Sequence, residues 1–412
     1  MNKNFFSIKD IISYFEEKFP QIDFPNDYIY FLDSQLSGDN SLVRAGSDLL
    51  LRDFFEQQGA PASLYNKYLS ENSTWYFKVN YHQLINLQPD ELYTYILEQF
   101  GQLFRLQDIA LDSEFSTGFN RHGVTHLKNV ASTSLNLLRE FFIIPPTNYY
   151  PQNEAIIGAF LHDIGNLISR KYHGLYGIYL FTLVFENFNY SKPTLDSFLR
   201  VLEIVLFHEV EYGCQLPDIS LLRPSALCVI IADKTDVNYK RVSTKSNVPE
   251  SIQDLHVLIN LLVSDSIVSR QKGENSCVRW IVNFRPKLDP SQSNYFSSLL
   301  KATGRVKFPG DWQKVYEEAN IEYLFVFNTE FLRIYLSRLY YAMSAAFALF
   351  PAVEKFELVV EDPERGISIK RVFTKKNYLD KIFQLGKYYY RNEWNNSYLG
   401  SSISRKIAQG NE

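Results

Sequence analysis

Cysteine is scarce in this chain of 412 residues: Cys214, Cys228 and Cys277 are all there is. An odd, widely spaced set suits neither a disulfide framework nor a zinc–thiolate site, and it fits a reducing compartment. An excess of either charge sign is missing too. Forty-two Lys and Arg stand against 46 Asp and Glu, for a formal net charge of -4. Gripping a nucleic-acid backbone needs clustered cations, so no large nucleic-acid surface is expected, whereas a small phosphorylated substrate remains open. Long apolar runs are also lacking. Asp10, Glu16, Glu17 and Lys18 interrupt residues 1–20, which lack the apolar core and cleavage site of a signal peptide. The most apolar later stretch, 342–353, is closed by Pro351 and falls short of the roughly 20 residues that cross a bilayer. The expectation is a cytoplasmic protein with no membrane contact. There is no internal repeat and no low-complexity tract.

Aromatic residues are abundant, at 16% with 28 Tyr and 32 Phe, in a chain that is 46% hydrophobic and 21% charged. This is the profile of a folded globular protein with a large core, and most of the rings are packing material. The length predicts two or three domains. Residues 1–108 read as helical, with Ile11, Ile12, Tyr14 and Phe15 at helix spacing behind a Ser7 cap and a second run opened by Asp90. No chemistry stands out there, and His82 has no histidine near it in sequence. Residues 109–262 form a second helical block holding six of the seven histidines. From 263 to 412 the pattern changes. Val278, Trp280, Val282 and Phe284 alternate as a half-buried strand does, 323–327 reads as a central strand, and a long helix is expected over 329–349. Phe356, Leu358 and Val360, a turn at 362–366, then Ile367 and Ile369 predict a hairpin. The fold class expected is mainly α: an all-helical core with an N-terminal helical extension and a smaller C-terminal α/β module.

The chemistry sits in the histidine-rich block. His122 and His126 are four apart and would share one side of a helix that included both. An apolar helix through Ala155, Ile156, Ala159 and Phe160 ends in His162-Asp163. His173 precedes Gly174 and Gly177, His208 closes a helix of Phe198, Leu202, Val205 and Leu206, and Asp233 closes Ala226, Val229 and Ile230. Burying an unpaired carboxylate costs several kcal/mol, and a divalent cation is an effective remedy. Any one of these residues is ordinary. Successive helices delivering His, His-Asp, His and Asp from their tips are not.

The order His126, His162-Asp163, His173, His208, Asp233 resembles the H…HD…H…H…D signature of the HD superfamily of metal-dependent phosphohydrolases. "HDIGN" followed by "HGLYG" resembles elements of its HD-GYP branch, "FHEVEYG" resembles the HHE segment, and "IIADKTDV" looks like the closing aspartate motif. The stretch 122–131 is similar to the "HGPxHV" opening of prokaryotic HD phosphohydrolases. The resemblance covers about residues 115–245. It implies that His126, His162, Asp163 and Asp233 bind a first metal and that Asp163 bridges to a second held by His173 and His208. Such mixed ligands suit Mn²⁺, Fe²⁺, Co²⁺ or Mg²⁺. The implied reaction is hydrolysis of a P–O bond in a nucleotide or other small phosphoester by a metal-activated water.

Asp163 and His122 are the catalytic candidates. The spacing His122-x-x-x-His126 resembles that of cyclic-nucleotide phosphodiesterases, which makes His122 a proton donor; the HD-GYP branch has a ligand there, so His122 as a ligand stays open. Arg121, Lys171 and Lys234 flank the ligand set and are candidates for clamping phosphate. Phe207 replaces the first histidine of the HHE word, and Gln215-Leu216 stand where Gly-Tyr would be, which argues against cyclic di-GMP. His256 lies past the last motif and is expected to be structural. Two other activities remain: an HD-type di-iron oxygenase, and a non-catalytic nucleotide-binding regulatory protein. A homodimer is the default expectation.

Overall fold

A computed structural model describes residues 8–22, 24, 80–112, 122–141, 149–167, 172–184, 191–242, 255–271, 277–285, 287–303, 322–350 and 352–410. Arg121, Lys171 and the Ser7 cap lie outside them. The fold is mainly helical with one small sheet. Helix α1 (Ile8–Lys18), the short α2 (Tyr81–Ile85) and α3 (Pro89–Asp112) lead into the histidine-rich block. That block comprises α4 (Val124–Phe141), α5 (Tyr150–Leu161), α6 (His173–Val184), α7 (Lys192–Phe207), the one-turn α8 (Val210–Gly213) and α9 (Pro224–Thr235).

Two of these helices are central, being buried on every side. All residues of α5 from Asn153 to Leu161 are buried, as are those of α9 from Ser225 to Thr235. A helix without a polar face has to be surrounded. Both α5 and α9 begin with proline in the first turn, where its missing N–H costs nothing. Helices α4, α7 and α9 pack against α5. Helix α1 docks on α7 through Phe15 and Phe19, whose rings meet Phe207 with centroids 6.3 and 4.7 Å away. Phe207 is therefore a core residue holding the N-terminal helix, consistent with its standing outside the histidine set.

Helix α10 (His256–Leu261) precedes strands β1 (Val263–Gln271) and β2 (Cys277–Phe284). Helices α11 (Pro290–Thr303) and α12 (Glu322–Leu349) follow, then β3 (Lys355–Asp362), β4 (Ile367–Thr374), α13 (Tyr378–Tyr390) and α14 (Tyr398–Gly410). The sheet order is β1-β2-β3-β4, with antiparallel outer pairs and a parallel β2–β3 pair. The predicted alternation of β2 and the β3–β4 hairpin are present, within one small sheet near the C-terminus.

One assignment is corrected: 323–327 is not a central strand but the first turns of α12. Its apolar run continues at helical spacing through Phe331, Leu332, Tyr335, Leu336 and Leu339, all fully buried. A short apolar run reads alike as strand or buried helix, and the length of the continuing pattern decides it. Helix α12 lies against α9, and Tyr341 Oη donates to the carbonyl of Phe207 at the end of α7. His256 packs edge-on against Tyr335 at 4.6 Å, as a structural histidine would. No helix among the described residues is long and apolar enough to cross a membrane.

Candidate metal centre

The ends of five helices converge at one point. His162 is the C-terminal cap of α5, with Asp163 next to it; His208 caps α7; His173 opens α6; Asp233 lies in the last turn of α9. His126 is in the first turn of α4. His122 precedes that helix and does not share its face, yet the two rings still sit 5.4 Å apart because the chain turns at Gly123. Of these seven positions all but His173 are buried.

Geometry around Asp163 divides the set in two. Its Oδ2 lies 3.4 Å from His126 Nε2 and 3.0 Å from His162 Nε2. Asp233 Oδ1 faces the same two nitrogens at 3.4 and 3.7 Å. The other oxygen, Oδ1, lies 3.2 Å from His173 Nε2 and 3.5 Å from His208 Nε2. One carboxylate thus presents one oxygen to each of two imidazole pairs. Within the pairs the nitrogens are 3.3 Å apart (His126, His162) and 2.8 Å apart (His173, His208).

The outer nitrogens explain why Nε2 points inward. His162 Nδ1 donates to the Ala159 carbonyl at 2.8 Å and His208 Nδ1 to the Val205 carbonyl at 2.7 Å. A carbonyl only accepts, so Nδ1 carries the proton and the neutral ring presents a lone pair at Nε2. His126 Nδ1 is held by Asp236 Oδ2 at 2.6 Å, and His173 Nδ1 by Glu209. Each pair therefore has one ring backed by a carbonyl and one by a carboxylate, the outer support that metal-binding histidines carry. The Nε2 lone pairs of His162 and His208 face carboxylate oxygens, acceptor against acceptor, an arrangement that a cation resolves. Among the described residues, ligand atoms within 4.8 Å of one another are found in three sets: His122, His126 and Asp163; His126, His162 and Asp233; and His162, Asp163 and His208. The donor set could hold metal.

Electrostatics follow the same division. Burial pushes the His208 pKa down to about 4, against the pull of Asp163, so the ring is neutral near pH 7. For His126, burial and Arg241 press the pKa down, but hydrogen bonds to Asp163, Asp233 and Asp236 outweigh them and lift it to about 9. Burial opposes ionisation of Asp163 and Asp233, yet His122 and His162 for the first, and Lys234 with His126 for the second, hold both carboxyls well below the usual range. Acidic and basic groups here are mutually committed.

Of the three basic candidates, only Lys234 is within the described residues. It is buried, and its Nζ sits 2.5 Å from Asp233 Oδ2, the oxygen turned away from the histidines. His122 spends Nδ1 on Asp163 Oδ2 at 2.5 Å. His82 stands apart, bonded to Thr194 Oγ1 at 2.9 Å.

Several supporting residues were not singled out in the sequence. Asp236 accepts from His126, from Asn129 Nδ2 at 3.2 Å and from Asn238 Nδ2 at 2.9 Å, with Arg241 also facing it. Asn166 Nδ2 donates to Asp163 Oδ1 at 3.0 Å, and Gln107 Nε2 to the Asp163 carbonyl at 2.8 Å. Glu209 adjoins His208 and Asp236 lies three residues past Asp233, so proximity to a candidate residue is the available signal for both. Gln107 is far away in sequence and gave none.

No family model and no solved structure matches the chain. One curated relative, the "Uncharacterized protein MJ1020" of Methanocaldococcus jannaschii, is 34% identical over 80 residues. That segment is 17% of this chain and 31% of the relative, so the match spans about a third of the relative's length.

Proposed function

We propose that this protein is a metal-dependent phosphohydrolase of HD type that cleaves a P–O bond in a nucleotide or another small phosphoester. The observation that carries the reading is Asp163, whose two carboxylate oxygens each face a separate pair of imidazole Nε2 atoms. His126, His162, Asp163 and Asp233 would hold one divalent cation, and Asp163, His173 and His208 a second, chosen from Mn²⁺, Fe²⁺, Co²⁺ or Mg²⁺ by the mixed nitrogen and oxygen donors. When bound, such a pair supplies Lewis-acid stabilisation of phosphoryl charge and makes water acidic enough to react near neutral pH.

The chain's own groups do the rest. Asp236, Glu209 and the carbonyls of Ala159 and Val205 fix the four rings before anything binds, so little reorganisation remains to be made. Lys234 orients Asp233 by engaging its outer oxygen. His122 keeps Nδ1 on Asp163, so a proton given to a leaving oxygen would depart from Nε2.

Purified full-length protein tests the reading by metal analysis followed by a phosphatase, phosphodiesterase and nucleotide panel with Mn²⁺, Mg²⁺ and Co²⁺. Two metals per chain and metal-dependent release of phosphate or nucleotide are expected. Failure to bind any metal at defined stoichiometry would sink it, and substrate-linked O₂ consumption with iron would turn it to an oxygenase. Asp163→Ala should abolish metal binding and activity together. His122→Ala should keep the metal and lose about 10²- to 10⁴-fold in rate; loss of metal instead would make His122 a ligand.

A further inference from the structure

Behind His126, on the side of Nδ1 rather than Nε2, lies a cleft of about 270 Å³ that the converging ligands leave unused. It opens between α4, the C-terminal end of α9 and the edge strand β1, at the junction of the helical block and the sheet. Clefts at such junctions are common ligand sites, and this one falls just under the roughly 300–1,000 Å³ usual for drug-sized molecules, which favours a smaller occupant.

The walls limit what that occupant can be. Ala232 and Val268 are the apolar lining residues, and no aromatic ring is among the rest, so an apolar ligand or a stacked base gains little. Lys240 is the lone lysine in the lining, set against the two carboxylates of Asp236 and Asp265. An anion such as phosphate is disfavoured. What remains in quantity is side chains that donate and accept: the hydroxyls of Thr125, Ser132, Thr133, Ser264 and Ser266 and the amides of Asn129 and Asn238. A ligand hydroxyl also does both, and side-chain carboxylates and amides suit adjacent hydroxyls well.

The floor of the cleft touches the metal centre. Asp236 receives Asn129 and Asn238 on Oδ1 and His126 on Oδ2. Ser266 of β1 accepts from the Val237 amide at 3.1 Å and donates to the Thr235 carbonyl, tying the sheet edge to the same segment. A ligand that draws on either amide changes how Asp236 holds the ring behind Nε2. We infer that this cleft binds a small polyhydroxylated molecule of monosaccharide type, and that its occupancy is coupled to metal affinity through Asp236 and His126. The coupling half rests on the metal reading above; the binding half does not.

The test uses the full chain, metal-free and metal-loaded, titrated calorimetrically with D-ribose, D-glucose and glycerol, and with inorganic phosphate as the anionic probe. Saturable binding of at least one polyol and none of phosphate is expected. Ser132→Trp, which fills the cleft from an exposed helix position, should abolish it, and Asp265→Ala should weaken it, each with an unchanged circular dichroism spectrum. The bound polyol should shift metal affinity about fivefold or more, and metal should shift polyol affinity by the same factor. Absence of saturable polyol binding, phosphate binding in its place, or polyol binding that survives both substitutions overturns the site. Polyol binding with no change in metal affinity overturns the coupling. Polyol binding lost in Ser132→Trp by a chain that takes up no metal supports the site and counts against the hydrolase instead.

Discussion

Asp163 can face both imidazole pairs only because its neighbours leave it little freedom. Asn166 holds Oδ1, Gln107 holds its backbone carbonyl, and His122 meets Oδ2. The histidines are constrained in the same way from their outer nitrogens, and Asp236 is the support most open to test. Asp236→Ala should lower metal affinity by about 10- to 100-fold without loss of the fold, measured by chelator competition. Asp236→Asn, whose amide oxygen can still accept from Nδ1, should fall between. An unchanged affinity in Asp236→Ala would mean that the carboxylate does not orient His126. Towards the opposite end of α5, Glu154 is a carboxylate whose ionisation is governed chiefly by burial. Burial pushes its pKa from the usual carboxylate range up to about 7, against the opposing pull of Arg200, Ser197 and Ser225, and Glu203 adds to the rise. A raised acid favours the fold when protonated, so its contribution is fully present below pH about 4.5 and is lost as pH rises through about 7. Glu154→Gln should therefore stabilise the protein at pH 8, by up to about 3 kcal/mol, and progressively less towards pH 5. Urea denaturation at the two pH values checks the sign.

At the scale of the element, the site depends on how closely the turn after Asp163 can approach the start of α6. A Cβ on Gly165 would stand 1.8 Å from the His173 carbonyl oxygen and 2.5 Å from the Gly177 nitrogen, both backbone atoms with nowhere to yield. The glycine of "HDIGN" is thus needed for contact and not for a turn conformation. Gly165→Ala should force α6 away and carry His173 with it, costing about 1–3 kcal/mol of stability. Metal stoichiometry should fall towards one, because His173 and His208 serve one side of Asp163 and His126 and His162 the other. Retention of two metals at native stability would show that the approach is not required. The same dependence on crossing helices appears at α12, whose Tyr341 meets the end of α7 just before His208. Helices of the histidine-rich block and of the C-terminal segment are bonded to each other beside His208.

For the whole molecule, the centre is a store of unfavourable contacts as well as a site. Burial opposes ionisation of Asp163 and Asp233, which are brought together with imidazoles from α4, α5, α6 and α7, so metal binding should contribute directly to folding free energy. Exhaustive chelation should lower Tm by several degrees, and re-addition of Mn²⁺ should restore it. In Asp163→Ala the chelator should have no further effect on Tm. A wild-type Tm indifferent to chelation would leave the convergence without its expected stabilising role.

The sequence by itself determined the helical character, the strands β2, β3 and β4, and the identity of the converging residues, because apolar periodicity and polar residues at helix tips are local signals. The run 323–327 reads as a strand in sequence because five apolar residues carry no period of their own. Asp236, Glu209 and Gln107 became visible as supports only when distant helices were assembled, since a hydrogen bond from Gln107 to residue 163 has no trace in the spacing of either segment. Only the tertiary structure decided that Asp163 gives one oxygen to each histidine pair, that Lys234 is turned away onto the outer oxygen of Asp233, and that a polar cleft lies behind His126. Those are matters of direction, and a side chain's direction is set by what packs against it.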